Sequence, residues 1–211
     1  MGRPAAFLDR DGVINVDRGY VHRWEDFEFV PGAVDGLRRL QAAGYALVVV
    51  TNQSGIARGY YDEAALQRLH DRLRSSLAER GIALAAIEYC PHLPQAEIAR
   101  YALECDCRKP APGMILRAAR ALDLDLAQSL LFGDKPSDIE AGTRAGVGRC
   151  VLLATDGQAG AQPVDHLAGR APGRPKKARG PLGGRSAVPG AGGVVMNLPA
   201  ALDALSVPRV G

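Results

Sequence analysis

The sequence predicts an α/β protein in which helices cover both faces of a mainly parallel sheet. Short apolar segments alternate along the chain with amphipathic segments of helical period, which is typical of successive βαβ units. The first apolar segments, residues 5–8 and 46–50, contain no polar residue and indicate strands that are buried on both faces. Together these observations predict a Rossmann-like sandwich of three layers.

Turn and capping residues delimit the expected elements. Pro31 and Gly32 open a first helix that ends at Gly44, and Asp62 caps a second helix that ends at Gly81. The second helix carries leucines at helical spacing, at positions 66, 69, 73 and 77. Further helices are expected at residues 113–122, 137–145 and 200–205. Strands are expected at residues 5–9, 46–50, 84–89, 129–132, 150–153 and 194–196.

The chain is long enough for one well-cored domain, with 211 residues and 47% hydrophobic content. Residues 158–193 hold nine glycines, five prolines and six Lys or Arg residues against one Asp. This segment therefore has a net charge of +5. Because the whole chain has a net charge of +3, the rest of the chain has a net charge of −2. We predict a core of residues 1–157, a disordered basic insertion at 158–193, and a terminal strand and helix of the core within 194–211.

The same features bear on location and partners. No apolar stretch is long enough to cross a bilayer, and the first residues contain no signal-peptide core. We therefore expect a cytoplasmic monomer without membrane attachment. The basic residues lie outside the folded part and are not interleaved with aromatics, so we expect no nucleic-acid partner.

Polar residues follow several of the expected strands. Asp9 ends the first strand, Thr51 follows the second and Asp134 follows the fourth. Ligands of open α/β sheets bind at this carboxyl edge. Mg²⁺ prefers oxygen ligands, so Asp9, Asp134 and a backbone carbonyl oxygen near Asp11 are the candidate ligands of a magnesium ion.

These residues also meet the requirements of phosphoryl transfer, which needs an in-line nucleophile, charge neutralisation and a proton for the leaving oxygen. Asp9 can attack as a carboxylate and form an aspartyl phosphate. Asp11 can protonate the leaving oxygen and later accept a proton from water. Thr51 and the backbone N–H groups of Asn52 and Gln53 can donate to the phosphate oxygens.

Lys109 is the candidate for balancing the charge that develops on the phosphate. A carboxylate bonded to its ammonium group would keep it protonated and oriented. Asp138 lies four residues after Asp134, about one helical turn into the following helix. We therefore expect Asp138 to support Lys109.

Four short motifs occur in a fixed order, each after an expected strand. They are Asp9-Arg10-Asp11-Gly12, Thr51, Lys109 and Gly133-Asp134-x-x-x-Asp138. In this order they resemble the haloacid dehalogenase (HAD) superfamily of phosphatases. The segments between the motifs are too short for the cap domain that many members carry, so the resemblance implies a capless enzyme with an open site.

Three cysteines and a histidine follow the third expected strand with metal-ligand spacing. They are Cys90, His92, Cys105 and Cys107. Three thiolates and one imidazole suit tetrahedral Zn²⁺, and a fully coordinated ion of this kind is structural. Such an ion would fix the loop that carries Arg108 and Lys109 to the phosphate. The alternative is that the three cysteines are buried apolar residues in a reducing cytosol.

A zinc loop on a capless phosphatase is similar to two families of the superfamily, the heptose bisphosphate phosphatases and the histidinol-phosphate phosphatases. Ser54 after Thr51-Asn52-Gln53 favours the heptose family. That resemblance implies a magnesium-dependent enzyme that removes the 7-phosphate of D-glycero-D-manno-heptose 1,7-bisphosphate, a phosphorylated sugar. It also implies contacts to sugar or phosphate from a set of residues in the motifs and in a short flap. These are Asp17, Gly19, Tyr20, Asn52, Gln53, Ser54, Arg108 and Lys135.

Other functions remain open at this point. Histidinol phosphate and a nucleic-acid 3′-phosphate are alternative substrates, and the basic stretch at 175–179 is the feature that suggests the second. A zinc-dependent binding module without catalysis is the alternative of a different class. Replacement of Asp9 or Asp11 would favour that module, and both residues are present.

Overall fold

The computed structural model describes residues 2–153 and 197–207, and the fold within them is the expected three-layer α/β sandwich. Its sheet has five strands in the order β3-β2-β1-β4-β5, and every neighbouring pair is parallel. The strands are β1 (Ala5–Leu8), β2 (Ala46–Asn52), β3 (Leu84–Cys90), β4 (Leu130–Gly133) and β5 (Arg149–Leu152). The strand that precedes Asp9 is therefore the central one.

Five α-helices cover the sheet. They are α1 (Ala33–Ala42), α2 (Glu63–Ala78), α3 (Gly113–Leu122), α4 (Pro136–Ala145) and α5 (Leu198–Ala204). Helices α1, α2 and α5 pack on the face that holds Ala6 and Leu8, and α3 and α4 pack on the face that holds Ala5 and Phe7. No helix in the described ranges is long and apolar enough to cross a membrane.

Local signals account for the helix ends. Asp62 accepts a hydrogen bond from the Ala65 N–H at 2.7 Å, which confirms it as the N-cap of α2. Helix α5 starts two residues before its expected position because Asn197 caps it, with its side chain accepting from the Ala200 N–H at 3.1 Å. The proline that follows Leu198 is tolerated in the first turn, where its missing N–H would have no partner.

Helix α5 is part of the core, and it packs on α1. A Cβ atom at Gly36 would lie 2.6 Å from the Leu198 side chain, so the glycine permits the two helices to approach closely. Buried Arg39 donates hydrogen bonds to the carbonyl oxygens of Pro199 and Val207 and pairs with Asp203. The proposed insertion at 158–193 and the strand at 194–196 lie outside the described residues, so the division into segments stays a prediction.

Candidate functional site

Three carboxylates converge at the carboxyl edge of the sheet. Asp9 directly follows β1, Asp134 directly follows β4, and Asp138 lies in the first turn of α4. One carboxylate oxygen of each lies within 4.8 Å of the others. Asp9 and Asp138 are only 5% and 2% exposed, so their charges are largely removed from water. The acidic cluster is therefore costly unless cations balance it.

Lys109 supplies one such cation. Its Nζ lies 2.8 Å from Asp9 Oδ1, 2.7 Å from Asp138 Oδ1 and 2.8 Å from the Val50 carbonyl oxygen, so all three N–H groups have an acceptor. Burial alone would lower the pKa of Lys109, but Asp9 and Asp138 together raise it above its ordinary value. The group therefore stays an ammonium ion, oriented by Asp138 as the sequence predicts.

Lys109 does not neutralise the whole cluster. Burial raises the pKa of Asp9, with Lys109 opposing and Asp138 adding to the effect. Burial, followed by the charge of Asp9, raises the pKa of Asp134 to about 7. Asp134 Oδ1 is also buried without a hydrogen-bond partner. An unpaired buried carboxylate oxygen beside a second carboxylate fits a hard divalent cation, so Asp9 and Asp134 suit magnesium.

Gly12 is required at this point for steric reasons. A Cβ atom there would lie 2.3 Å from Asp134 Oδ2, and its φ of +88° falls in the left-handed region. The turn after Asp9 can pass this close to Asp134 only because Gly12 has no side chain.

The Asp11 carboxylate lies in a network of hydrogen-bond donors. Arg10 Nη2 lies 2.9 Å from each of its oxygens, and the amide nitrogens of Asn15 and Gln53 also donate to it at 2.9 Å. These contacts fix the orientation of the Asp11 carboxyl group. The predicted metal contact of Asp11 through its backbone carbonyl oxygen stays a prediction.

Arg10 and His70 are site residues that sequence reasoning missed. The Arg10 guanidinium is fully buried, donates to the Val21 carbonyl oxygen at 2.6 Å and lies 3.3 Å from His70 Nε2. Burial, followed by the charge of Arg10, lowers the pKa of His70 to about 3, so His70 is neutral and accepts from Arg10. One available signal was the position of His70 four residues after Leu66, on the apolar face of α2.

Gln53 does not have the predicted role. Its Nε2 donates to Thr51 Oγ1 at 2.8 Å and to Asp11, while its Oε1 accepts from the Tyr61 hydroxyl at 2.6 Å. Its backbone N–H donates to the Cys90 carbonyl oxygen at 2.8 Å. Because these groups already have partners, the expectation that Gln53 donates to phosphate or sugar is wrong. Gln53 instead orients Asp11 and Thr51.

The Thr51 hydroxyl is free for the expected role. Its oxygen accepts from Gln53, and its own hydrogen has no acceptor within residues 2–153 and 197–207. The hydroxyl can therefore donate to a phosphate oxygen.

The Asn52 side chain is likewise used within the protein. Its Nδ2 donates to the Lys109 carbonyl oxygen at 3.1 Å, and its Oδ1 accepts from the Lys109 N–H at 3.0 Å. This pair of bonds ties the end of β2 to the segment that carries Lys109. The Asn52 side chain therefore positions Lys109, and the predicted donation of the Asn52 backbone N–H to the phosphate stays a prediction.

A flap (residues 16–29) projects from the turn after β1 and carries three of the predicted substrate residues. Asp17 accepts from the Gly19 N–H at 3.0 Å and lies 3.3 Å from Lys135 Nζ. Tyr20 has a φ of +55° and packs edge-on against Tyr60, with ring centroids 4.8 Å apart. Lys135 Nζ is also 3.8 Å from Asp134 Oδ2, so the flap reaches the acidic cluster through Lys135. Ser54 is partly buried in the loop after β2.

The predicted zinc ligands converge in a cysteine loop (residues 90–109). Cys107 Sγ lies 3.0 Å from Cys90 Sγ and 3.3 Å from Cys105 Sγ, and His92 Nδ1 lies 3.3 Å from Cys107 Sγ. The four donor atoms all lie within 4.8 Å of one another, and none of the cysteines forms a disulfide. Three sulfurs and one imidazole nitrogen around one point fit Zn²⁺. Cys150 lies elsewhere, partly buried against the core.

The cysteine loop is anchored to the rest of the site. Arg108 Nη1 donates to the His92 carbonyl oxygen at 3.1 Å, so this guanidinium is held against the loop. Glu63, at the start of α2, accepts from the hydroxyls of Tyr89 at 2.6 Å and Tyr101 at 2.5 Å. These two hydrogen bonds lower the pKa of Glu63, and the bond from Tyr101 has the larger effect. The loop is therefore fixed to α2 as well as to β2.

Comparison with known proteins agrees with this arrangement. A family model described as HAD-hydrolase-like matches residues 106–175. The D-glycero-beta-D-manno-heptose-1,7-bisphosphate 7-phosphatase of Photorhabdus laumondii is 51% identical over 154 residues, which are 73% of this chain and 82% of that protein. The alpha-specific 7-phosphatase of the same organism is 47% identical over 150 residues, 71% of this chain and 82% of that protein.

A solved structure supports the same relationship. The D,D-heptose 1,7-bisphosphate phosphatase of B. bronchiseptica, complexed with magnesium and phosphate, superimposes with a TM-score of 0.63 at 38% sequence identity. The match covers 71% of this chain and 80% of that one. The chain therefore belongs to the heptose-1,7-bisphosphate 7-phosphatase family of HAD-like hydrolases.

Proposed function

We propose that the protein is a magnesium-dependent phosphatase that removes the 7-phosphate of D-glycero-D-manno-heptose 1,7-bisphosphate and leaves heptose 1-phosphate. The observation that carries this proposal is the buried contact of Lys109 with Asp9 and Asp138 beside the unpaired oxygen of Asp134. The names of the relatives supply the substrate.

Asp9 is the proposed nucleophile. Lys109 contacts its Oδ1, which leaves the other oxygen to attack the phosphorus of the 7-phosphate. As this bond forms, the bond from phosphorus to the sugar oxygen breaks and Asp11 gives that oxygen a proton. Water then attacks the aspartyl phosphate, passes a proton to Asp11 and releases inorganic phosphate. Thr51 donates to a phosphate oxygen, and the charge of the Lys109 ammonium group balances the negative charge on the phosphate, in both steps.

The cation would be held by the carboxylates of Asp9 and Asp134 and by the backbone carbonyl of Asp11. When bound, it neutralises charge on the phosphate and on the two carboxylates. Zinc in the cysteine loop would be structural, because all four positions are taken by protein ligands. Its effect on the reaction is to fix the segment that carries Arg108 and Lys109.

Substrate contacts complete the proposal. We propose contacts to the sugar or its phosphates from the flap residues Asp17, Gly19 and Tyr20, and from Ser54, Arg108 and Lys135. Lys135 supports this, because its Nζ lies 3.8 Å from Asp134 Oδ2 and 3.3 Å from Asp17 Oδ2. The basic groups among these contact residues suit the phosphates of a sugar bisphosphate, and the protein is expected to act as a monomer.

The deciding experiment measures phosphate release from both anomers of heptose 1,7-bisphosphate and from histidinol phosphate, with Mg²⁺ present. We expect a higher kcat/KM with a heptose anomer than with histidinol phosphate, and the opposite order would reject the substrate. Asp9→Asn should abolish release while retaining the zinc content and the folded circular-dichroism spectrum. Asp35→Asn, which changes an exposed aspartate of α1, is the matched control and should keep full activity. Turnover in Asp9→Asn would reject the mechanism.

A further inference from the structure

A cavity of about 480 Å³ opens beside the flap. Its wall is formed by the flap, the loop between β2 and α2, the start of α2 and the middle of the cysteine loop. The residues that matter here are His22, Arg23, Tyr61, Arg68, Arg100 and Tyr101. None of Asp9, Asp11, Thr51, Lys109 or Asp134 lines it. The cavity is therefore separate from the proposed catalytic site.

The wall carries an excess of positive charge. It holds three arginines and one acidic residue, Asp62, whose carboxylate already caps α2. Arg23 pairs with exposed Asp26, and Arg100 lies over the Tyr101 ring at 4.8 Å. Arg68 forms no ion pair or hydrogen bond through its side chain with any described residue. Three guanidinium groups from three separate segments thus line the cavity. Arg23 and Arg100 interact with the carboxylates of Asp26 and Glu63, whereas Arg68 has no competing partner among the described residues.

The cavity also offers an aromatic surface on which a planar ring of a ligand can stack. The side chain of Tyr60 in its wall is 57% exposed, whereas the hydroxyls of Tyr61 and Tyr101 are already bonded within the protein. A second cavity of about 230 Å³ adjoins the first and shares Arg23 and Arg68 with it, and its wall also holds Trp24 and Glu25. A molecule with a phosphate group and a flat ring or sugar face matches both properties.

The cavity is linked to the catalytic groups by direct contacts. The His22 ring stacks on the Tyr61 ring with centroids 4.6 Å apart. The Tyr61 hydroxyl bonds to Gln53, which in turn bonds to Asp11 and Thr51. A ligand held by the three arginines would also join the flap to α2 and to the cysteine loop. A ligand bound in the cavity would thus alter the hydrogen bonds around Asp11 without blocking Asp9.

We propose that the cavity lined by Arg23, Arg68 and Arg100 is a second anion-binding site for a small phosphate ester that is not the substrate being hydrolysed. The two candidate ligand classes, nucleotides and sugar phosphates, share a phosphate group attached to a nucleoside or to a sugar. This site is independent of which phosphate ester the enzyme hydrolyses.

Binding can be followed with the only tryptophan of the chain. Trp24 lies in the flap, in the wall of the adjoining smaller cavity, and its fluorescence should respond to a ligand there. Zinc-loaded protein in magnesium-free buffer is titrated with AMP, glucose 1-phosphate and inorganic phosphate, and calorimetry measures the same affinities. The two organic probes distinguish a nucleotide from a sugar phosphate, and tighter binding of either than of inorganic phosphate is expected.

The variants are Arg68→Ala and Arg100→Ala, with Arg120→Ala on the exposed side of α3 as the matched control. We expect each of the first two to weaken binding of the preferred probe at least tenfold, and the control and Asp9→Asn to leave it unchanged. Equal affinity in Arg68→Ala, or no binding of any probe at millimolar concentration, would overturn the proposal. Competition between the probe and the hydrolysed substrate would overturn it as well, because it would place the probe in the catalytic site.

Discussion

Replacing Lys109 by methionine tests the central contact of the site. The substitution keeps most of the side-chain volume but removes an ammonium group that is 2% exposed and makes three hydrogen bonds. Two of these bonds join it to the Asp9 and Asp138 carboxylates, which are themselves buried. The variant would leave both carboxylates without their cation.

The cost follows from the burial of these partners. Removing one member of a buried ion pair destabilises a protein by about 3–5 kcal/mol, because the remaining charge has neither water nor a partner. We expect the free energy of unfolding of Lys109→Met to fall by this amount. Loss of one group that stabilises the charge on the reacting phosphate slows catalysis by roughly 10²–10³-fold, and phosphate release should fall by at least that factor.

Urea unfolding followed by circular dichroism measures the first quantity, and a phosphate-release assay with saturating Mg²⁺ measures the second. Lys135→Met is the matched control for stability, because the Lys135 side chain is 53% exposed and its contact with Asp17 lies at the surface. An exposed pair of this kind is worth about 0–1 kcal/mol. If Lys109→Met unfolds at the same urea concentration as Lys135→Met, the proposed energetic role of the buried contact is refuted.

Three further outcomes can be measured on single variants. Cys107→Ser should release zinc and lower the unfolding midpoint, whereas Cys150→Ser should keep the metal; equal zinc content in the two would contradict the proposed ligand set. The pKa of Asp134 is about 7 in the fold against an ordinary 3.8, so the folded state holds a proton that the unfolded chain has lost between these values. Magnesium-free protein should therefore lose stability as the pH rises from about 4 to about 7, and a similar slope in Asp134→Asn would contradict this. His70→Leu removes the acceptor of buried Arg10, and we expect urea unfolding to show a loss of about 1–3 kcal/mol; an unchanged midpoint would show that this contact is dispensable.

The fold was predictable because each of its signals is local. Apolar runs and helix caps mark β1, β2 and α2, and the spacing of the motifs places Asp9 and Asp134 at one edge of a parallel sheet. The cysteine loop was predictable for the same reason, because its ligand types and their spacing are visible in the sequence. These features depend on neighbours within a few residues or on the direction of parallel strands.

The networks around the site were not predictable in the same way. Gln53 was expected to face the substrate, but its partners include Asp11, 42 positions away, and the Cys90 carbonyl oxygen. Arg10 and His70 are separated by 60 positions, and neither residue type indicates such a pairing. Which polar groups satisfy one another in a buried network is decided by packing, and a single sequence does not contain that information directly.

The central position of β1 also has a consequence for synthesis on the ribosome. The first strand to emerge pairs with β2 on one side and with β4 on the other, and β4 begins only at Leu130. Asp134 and Asp138 come later still, so a nascent chain that ends before them has Asp9 and Lys109 but lacks the rest of the acidic cluster. Because contacts between distant segments form late, the complete site arises only after nearly all of the described core has been translated. Partially made chains are therefore expected to be inert towards the cell's phosphate esters.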